Sequence, residues 1–146
     1  MRRRNALLGL FIAICIIFAG TSMVIAKSSS LQQSGGNTIK TIAKTTIYLE
    51  KKTSSSLYYR VTVTSASGIS SSITATITLQ RSESGKWVDK TTVNKTVNNA
   101  NKLDEVGTIS VSSYGSGNYR IMGYFSDVCN GITNKVGPMY SDTVPI

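Results

Sequence analysis

The residues best able to do chemistry in this sequence are its lysines and tyrosines, and the chemistry they offer is binding. Lysine and arginine together number 16 against 7 aspartates and glutamates, a formal charge of +9. The lysines fall into two groups. Lys40, Lys44, Lys51 and Lys52 are opposed locally only by Glu50, and Lys86, Lys90, Lys95 and Lys102 have Asp89 among them. A surface of that sign draws polyanions from a distance, and salt weakens the pull. Lysines also keep exposed strand edges from pairing with other chains, so the same residues fit a purely protective role. Tyr58 and Tyr124 fall on strand faces opposite the expected core, while Tyr114 and Tyr140 sit at a turn and near the C-terminus. Exposed aromatic rings stack on sugars or anchor protein interfaces. They serve equally as cross-strand pairs on a threonine-rich sheet.

Catalysis is not expected. Histidine is absent, which removes Ser–His–Asp and Cys–His machinery, histidine-ligated metals and a histidine pH switch. Two cysteines cannot make a four-cysteine zinc site. No Gly-x-Ser-x-Gly or Ser-x-x-Lys occurs, and Gly115-Ser116-Gly117 fails as a nucleotide loop because Arg120 stands where a third glycine belongs. Asp104 and Glu105 are adjacent, so on a strand they point to opposite faces and cannot act as a pair. The carboxylates have no calcium-loop spacing. The expectation is a non-enzyme with no cofactor and no metal.

The ends of the chain suggest where it works. Arg2, Arg3 and Arg4 precede an apolar run over residues 6–19, broken only by Gly9, and Gly20-Thr21-Ser22 closes it before Val24-Ile25-Ala26. That is the order of a secretory signal peptide, residues 1–26, cut after Ala26. An uncleaved membrane anchor is the alternative, since residues 6–26 are long enough to span a bilayer. A lipoprotein at Cys15 is disfavoured because Ile14 stands where a small residue is needed. Removal of the three arginines takes the charge from +9 to +6 and leaves Cys129 as the sole thiol. Cys129 is then a small, partly buried side chain or a link between molecules. Residues 27–37, with a Gly-Gly pair and one large apolar side chain, read as a flexible tail or linker.

Residues 38–146 must supply the scaffold. Val, Ile and Thr abound, Ala is scarce, and no helical spacing is sustained, which favours extended backbone. Apolar and polar residues alternate over 39–50, 56–65 and 72–81. The last is the clearest, with Ile73, Ala75, Ile77 and Leu79 set against Thr74, Thr76, Thr78 and Gln80. Ser84-Gly85 turns into a fourth strand from Lys86 to about Val93 or Val97. A polar loop is expected over 98–102, then a fifth strand over 107–113 with Ile109 and Val111 buried. A sixth follows over 118–126 with Tyr119, Ile121 and Phe125 inward. Asn130-Gly131 makes a hairpin turn. A seventh strand spans about 132–143, with Pro138 confining its middle to an edge or bulge. About seven short strands, each apolar on one face, predict an all-β antiparallel two-sheet sandwich. Gly117-Asn118-Tyr119 resembles the tyrosine corner of immunoglobulin-like domains, although Ile121 replaces the cysteine expected two residues on.

The alternating strand over 73–81, then Gly85-Lys86-Trp87-Val88, then Gly117-x-Tyr119-Arg120-Ile121, is similar to a group of small secreted β-sandwich proteins of unassigned function from Gram-positive bacteria. The likeness covers roughly residues 57–126 and implies export and a β fold, with no catalytic residue. The combined expectation is an exported β-sandwich module that binds at the cell envelope. Its partner would be an anionic wall polymer, a glycan or another secreted protein, with no nucleic acid and with membrane contact only through an uncleaved leader. The lysines of both groups, Tyr58 and Tyr124 would carry the binding. The alternative is a secreted antimicrobial or toxin-like effector acting on competitor membranes.

Overall fold

A computed structural model describes residues 27–29, 42–66 and 69–146. The proposed leader with its cleavage site at Ala26, and Lys40, lie outside the described residues. The strands in chain order are β1 (Lys27–Ser29), β2 (Ile42–Thr53), β3 (Ser56–Ser65), β4 (Ser70–Glu83), β5 (Lys86–Ala100), β6 (Lys102–Ser110), β7 (Asn118–Cys129), β8 (Ile132–Tyr140) and β9 (Val144–Pro145). No helix occurs among the described residues. Every strand pairing is antiparallel. One sheet runs β1-β2-β3-β6, the other β5-β4-β7-β8, with β9 also on β7.

The two sheets share one core, because each is apolar on a single face and only stacking hides both faces from water. Ile47, Leu49, Leu57, Val61, Val63 and Leu103 meet Ile73, Ile77, Leu79, Tyr119, Ile121 and Phe125, all at most 2% exposed. Ile73, Ile77 and Leu79 alone bring about 5–9 kcal/mol of apolar burial before chain entropy is charged, at roughly 1.5–3 kcal/mol per side chain. Gly123 faces the same core on β7. A Cβ there would lie 2.4 Å from Phe125 Cζ and 2.9 Å from Ile47 Cδ1, so the Phe125 ring occupies the space that the missing side chain leaves.

Turn chemistry follows the residues. Ser84 and Gly85 both have positive φ, 50° and 78°, and so do Asn130 and Gly131, 51° and 75°. Two left-handed residues in a row give the tight hairpin turn that matches the right-handed twist of the flanking strands. Ahead of β7, the buried Tyr119 donates its hydroxyl to the Gly115 carbonyl, tying the strand's start to the loop before it.

Several boundaries differ from the sequence expectation. Residues 27–29, expected within the flexible tail, pair with Thr45, Thr46 and Ile47 as β1. The expected polar loop over 98–102 is mostly strand: β5 continues to Ala100 and β6 begins at Lys102, the chain crossing between sheets just past Asn99, whose φ is 50°. The fifth strand therefore lies earlier than 107–113. Leu103 is its buried residue, Ile109 is only half-buried, and Val111 is buried beyond the strand's end, where its N–H reaches the Ser55 carbonyl at 2.8 Å. The reason is that β5 and β6 are edge strands. Their polar residues lie in the core-side register without being buried, which blurs the alternation. The last of the expected strands, over about 132–143, is β8 and stops at Tyr140, and Val144–Pro145 returns as β9 on β7. Pro138 does lie on an edge strand, next to a register shift.

Candidate binding face

The outer face of the four-stranded sheet has a cross-strand lattice that the register spells out. Thr64 has Lys44 on one side and Lys102 on the other. The next outward row is Thr46, Thr62 and Asp104, then Tyr48, Arg60 and Val106, then Glu50, Tyr58 and Thr108. Lys44 and Lys102 thus stand two strand spacings apart, about 10 Å. Between them the floor is made of short threonine side chains. The result is a shallow trough of about 530 Å³, floored by Thr46, Thr62 and Thr64 and walled by Lys44, Lys102, Arg60, Tyr48 and Tyr58.

Its walls are held in place. Tyr48 and Tyr58 meet edge to face, with centroids 6.3 Å apart and planes at 67°. The Tyr48 hydroxyl donates to Glu50, and that bond, followed by burial, raises the phenol's pKa above its ordinary value. Arg60 grips Asp104 through two bonds, Nε to Oδ1 at 2.9 Å and Nη2 to Oδ2 at 2.6 Å, and Lys102 adds a third at 3.2 Å. Arg60 first, and Lys102 after it, hold the Asp104 carboxyl well below the usual range. Lys44, Lys102 and Arg60 outnumber Asp104 within the trough, with Glu50 beyond its tyrosine end, and leave it positive. The floor hydroxyls can donate to an anion lying between the lysines.

The candidate lysines and tyrosines distribute unequally. Lys44, Lys102 and Tyr58 come together in the trough, and Lys52 lies further along the same face with Nζ 3.2 Å from Thr108 Oγ1. Lys51 is exposed near the β2–β3 hairpin, opposite Leu57. Lys86 is exposed on the other sheet beside its hairpin turn. Lys90 is occupied by Glu83 at 2.6 Å, and this lysine ahead of Arg81 pulls the Glu83 carboxyl down. Lys95 bridges the sheets at their edge through Glu105 at 3.3 Å. Tyr124, 46% exposed, lines a separate depression of about 400 Å³ with Lys135, Thr74 and Thr76 on the outer face of the five-stranded sheet.

Sequence reasoning passed over Tyr48 and Arg60 as binding residues. The signal was present, since both alternate with core residues on their strands. What periodicity lacks is the register that puts them beside Tyr58 and Lys102. It also passed over the partnership of Trp87 and Arg120, 33 positions apart, which stack on the outer face of the other sheet. Among the described residues, no three His, Cys, Asp or Glu side chains gather in a way that could hold a metal ion. No protein family, curated protein or solved structure matches the chain.

Proposed function

We propose that the chain is an exported, non-catalytic binding module of immunoglobulin-like type that works at the cell envelope, where the trough on the four-stranded sheet takes an anionic wall polymer. Two features support the immunoglobulin-like reading. Leaving β1 and β9 aside, a three-stranded layer, β2-β3-β6, faces a four-stranded one, β5-β4-β7-β8. Tyr119 also ties back to Gly115 near the start of the penultimate long strand, as a tyrosine corner does. The binding reading rests on one observation above the rest: Lys44, Lys102 and Arg60 surround a hydroxyl floor that ends in two tyrosine rings. Cations attract a repeating anion over a distance, the threonine hydroxyls donate to it at short range, and the rings offer a surface to sugar substituents.

Sedimentation with purified Gram-positive cell walls tests this. The mature protein pellets with walls at low salt and is released as salt rises, because screening removes the long-range term. Lys44→Glu combined with Lys102→Glu abolishes pelleting, while Lys86→Glu and Lys95→Glu have a smaller effect. Retention that ignores salt, or that survives the trough substitutions, refutes the assignment. Leakage of dye from anionic vesicles by the purified protein would favour the effector reading instead.

A further inference from the structure

A second arrangement, on the outer face of the five-stranded sheet, has the makings of a separate site. The Arg120 guanidinium on β7 lies 4.2 Å from the centre of the Trp87 ring and 4.1 Å from that of Tyr140. Tyr140 comes from β8, the neighbour of β7 on one side, and Trp87 from β5, which lies beyond β4 on the other. Arg120 Nε donates to Gln80 Oε1 at 2.8 Å, and the Gln80 amide donates to Asp89 Oδ1 at 2.7 Å. The side chain is therefore held by two rings and a hydrogen bond whose acceptor is itself anchored.

The two terminal nitrogens are left over. Neither bonds to a described residue, and neither is fully buried. The other two arginines among the described residues are committed: Arg60 to Asp104, and Arg81 to Glu83 and the Ser116 carbonyl. Arg120 alone presents an ordered, unfilled fork. Two parallel N–H donors match a carboxylate bidentately. A side chain already immobilised by stacking loses little further freedom when a ligand arrives. Asp89 leaves one negative charge near the fork, which favours a singly charged carboxylate over a dianionic phosphate. The flanking rings, with Tyr140 40% exposed, offer aromatic surface to a ring attached to that carboxylate.

We propose that Arg120, clamped by Trp87 and Tyr140, is a carboxylate site for the uronate unit of an acidic glycan. The choice of a glycan rests on the envelope-binding reading. The carboxylate fork does not, and it lies on the opposite sheet from the trough.

Trp87 is the only tryptophan, so its fluorescence reports on the site without a label. Titration of the wild-type protein with glucuronate produces a saturable change in that emission, and glucose produces none. The Arg120 Nε–H cross-peak in a ¹⁵N-labelled wild-type sample shifts along the same curve, which keeps the test independent of whether any variant folds. Arg120→Lys retains the charge but loses the fork, and weakens glucuronate binding about tenfold or more. An unchanged affinity in Arg120→Lys that circular dichroism shows to be folded overturns the proposal. So does an equal response to sodium chloride at matched ionic strength. Equal binding of N-acetylglutamate would assign the fork to acidic peptides and also overturn it. The Lys44→Glu, Lys102→Glu variant keeps the glucuronate response. If wall sedimentation fails while that response stands, the trough is lost and this site is not.

Discussion

Removing the hydroxyl of Tyr119 by Tyr119→Phe isolates one hydrogen bond and measures what holds the start of β7 to the preceding loop. The ring is fully buried, and the substitution leaves it in place, so packing is preserved. The lost interaction is the bond to the Gly115 carbonyl. Two magnitudes compete. An orphaned buried carbonyl costs about 1–3 kcal/mol, whereas a bond whose acceptor can turn to water costs only its net value, about 0.5–1.5 kcal/mol. Gly115 is exposed, so water can replace the phenol and the smaller figure applies: about 1 kcal/mol, or about 4 °C in Tm for a domain of this size. Tyr59→Phe is the internal comparison. Tyr59 is equally part of the core, but its hydroxyl stands 3.5 Å from Glu105 Oε1, too long for a strong bond. Its loss is expected below about 0.5 kcal/mol. Urea unfolding followed by far-UV circular dichroism, with unchanged m-values, supplies both numbers. Equal losses in the two variants, or no loss in Tyr119→Phe, would refute the reasoning that geometry decides the outcome.

Other positions give equally definite expectations. Gly123→Ala puts a Cβ into the Phe125 ring and against Ile47, and thermal melting is expected to show a loss of about 1–3 kcal/mol from overpacking. Leu79→Ala empties a fully buried site and costs about 2–5 kcal/mol by the same measurement. Asp104 has a depressed pKa when folded, so the unfolded chain binds its proton more readily. Its contribution is complete above the ordinary carboxylate pKa of about 4 and fades as pH falls below that. Because Arg60 is half exposed, solvent screening limits that contribution to about 1 kcal/mol or less. Asp104→Asn should therefore flatten the drop in stability between pH 5 and lower values by about that amount, and an unaltered acid limb in urea titrations would contradict it.

How far the residues alone reveal the fold depends on where each strand lies. On β4, paired on both sides, Ile73, Ala75, Ile77 and Leu79 are buried and their alternation reads without ambiguity. The turns at Ser84-Gly85 and Asn130-Gly131 are equally legible, since few residue types accept left-handed backbone. At the edges the code degrades. Lys95 sits in the core-side register of β5, opposite Ala75, yet stays exposed because little of the other sheet covers it. Glu105 on β6 is likewise turned inward and meets Lys95 and Tyr59. Charges at such positions look like loop to any periodicity argument. The candidate site fares similarly. Lys44, Tyr58 and Lys102 could each be singled out as exposed. Their meeting around a threonine floor depends on β3 lying between β2 and β6, which no local pattern encodes.

That same order governs when the protein can take shape. β3 and β4 find their second partners in β6 and β7, at residues 38 to 56 positions further along the chain. A growing polypeptide that has been made only as far as Ala100 holds two isolated hairpins, β2–β3 and β4–β5, with greasy undersides and no cover for either. Hairpins of that kind are marginal in water. Closure over such long loops is slow, because the entropy of bringing the ends together is spent before any contact repays it. The chain therefore commits to its fold late, once its final third exists, and until then its uncovered apolar faces need protection from its own kind.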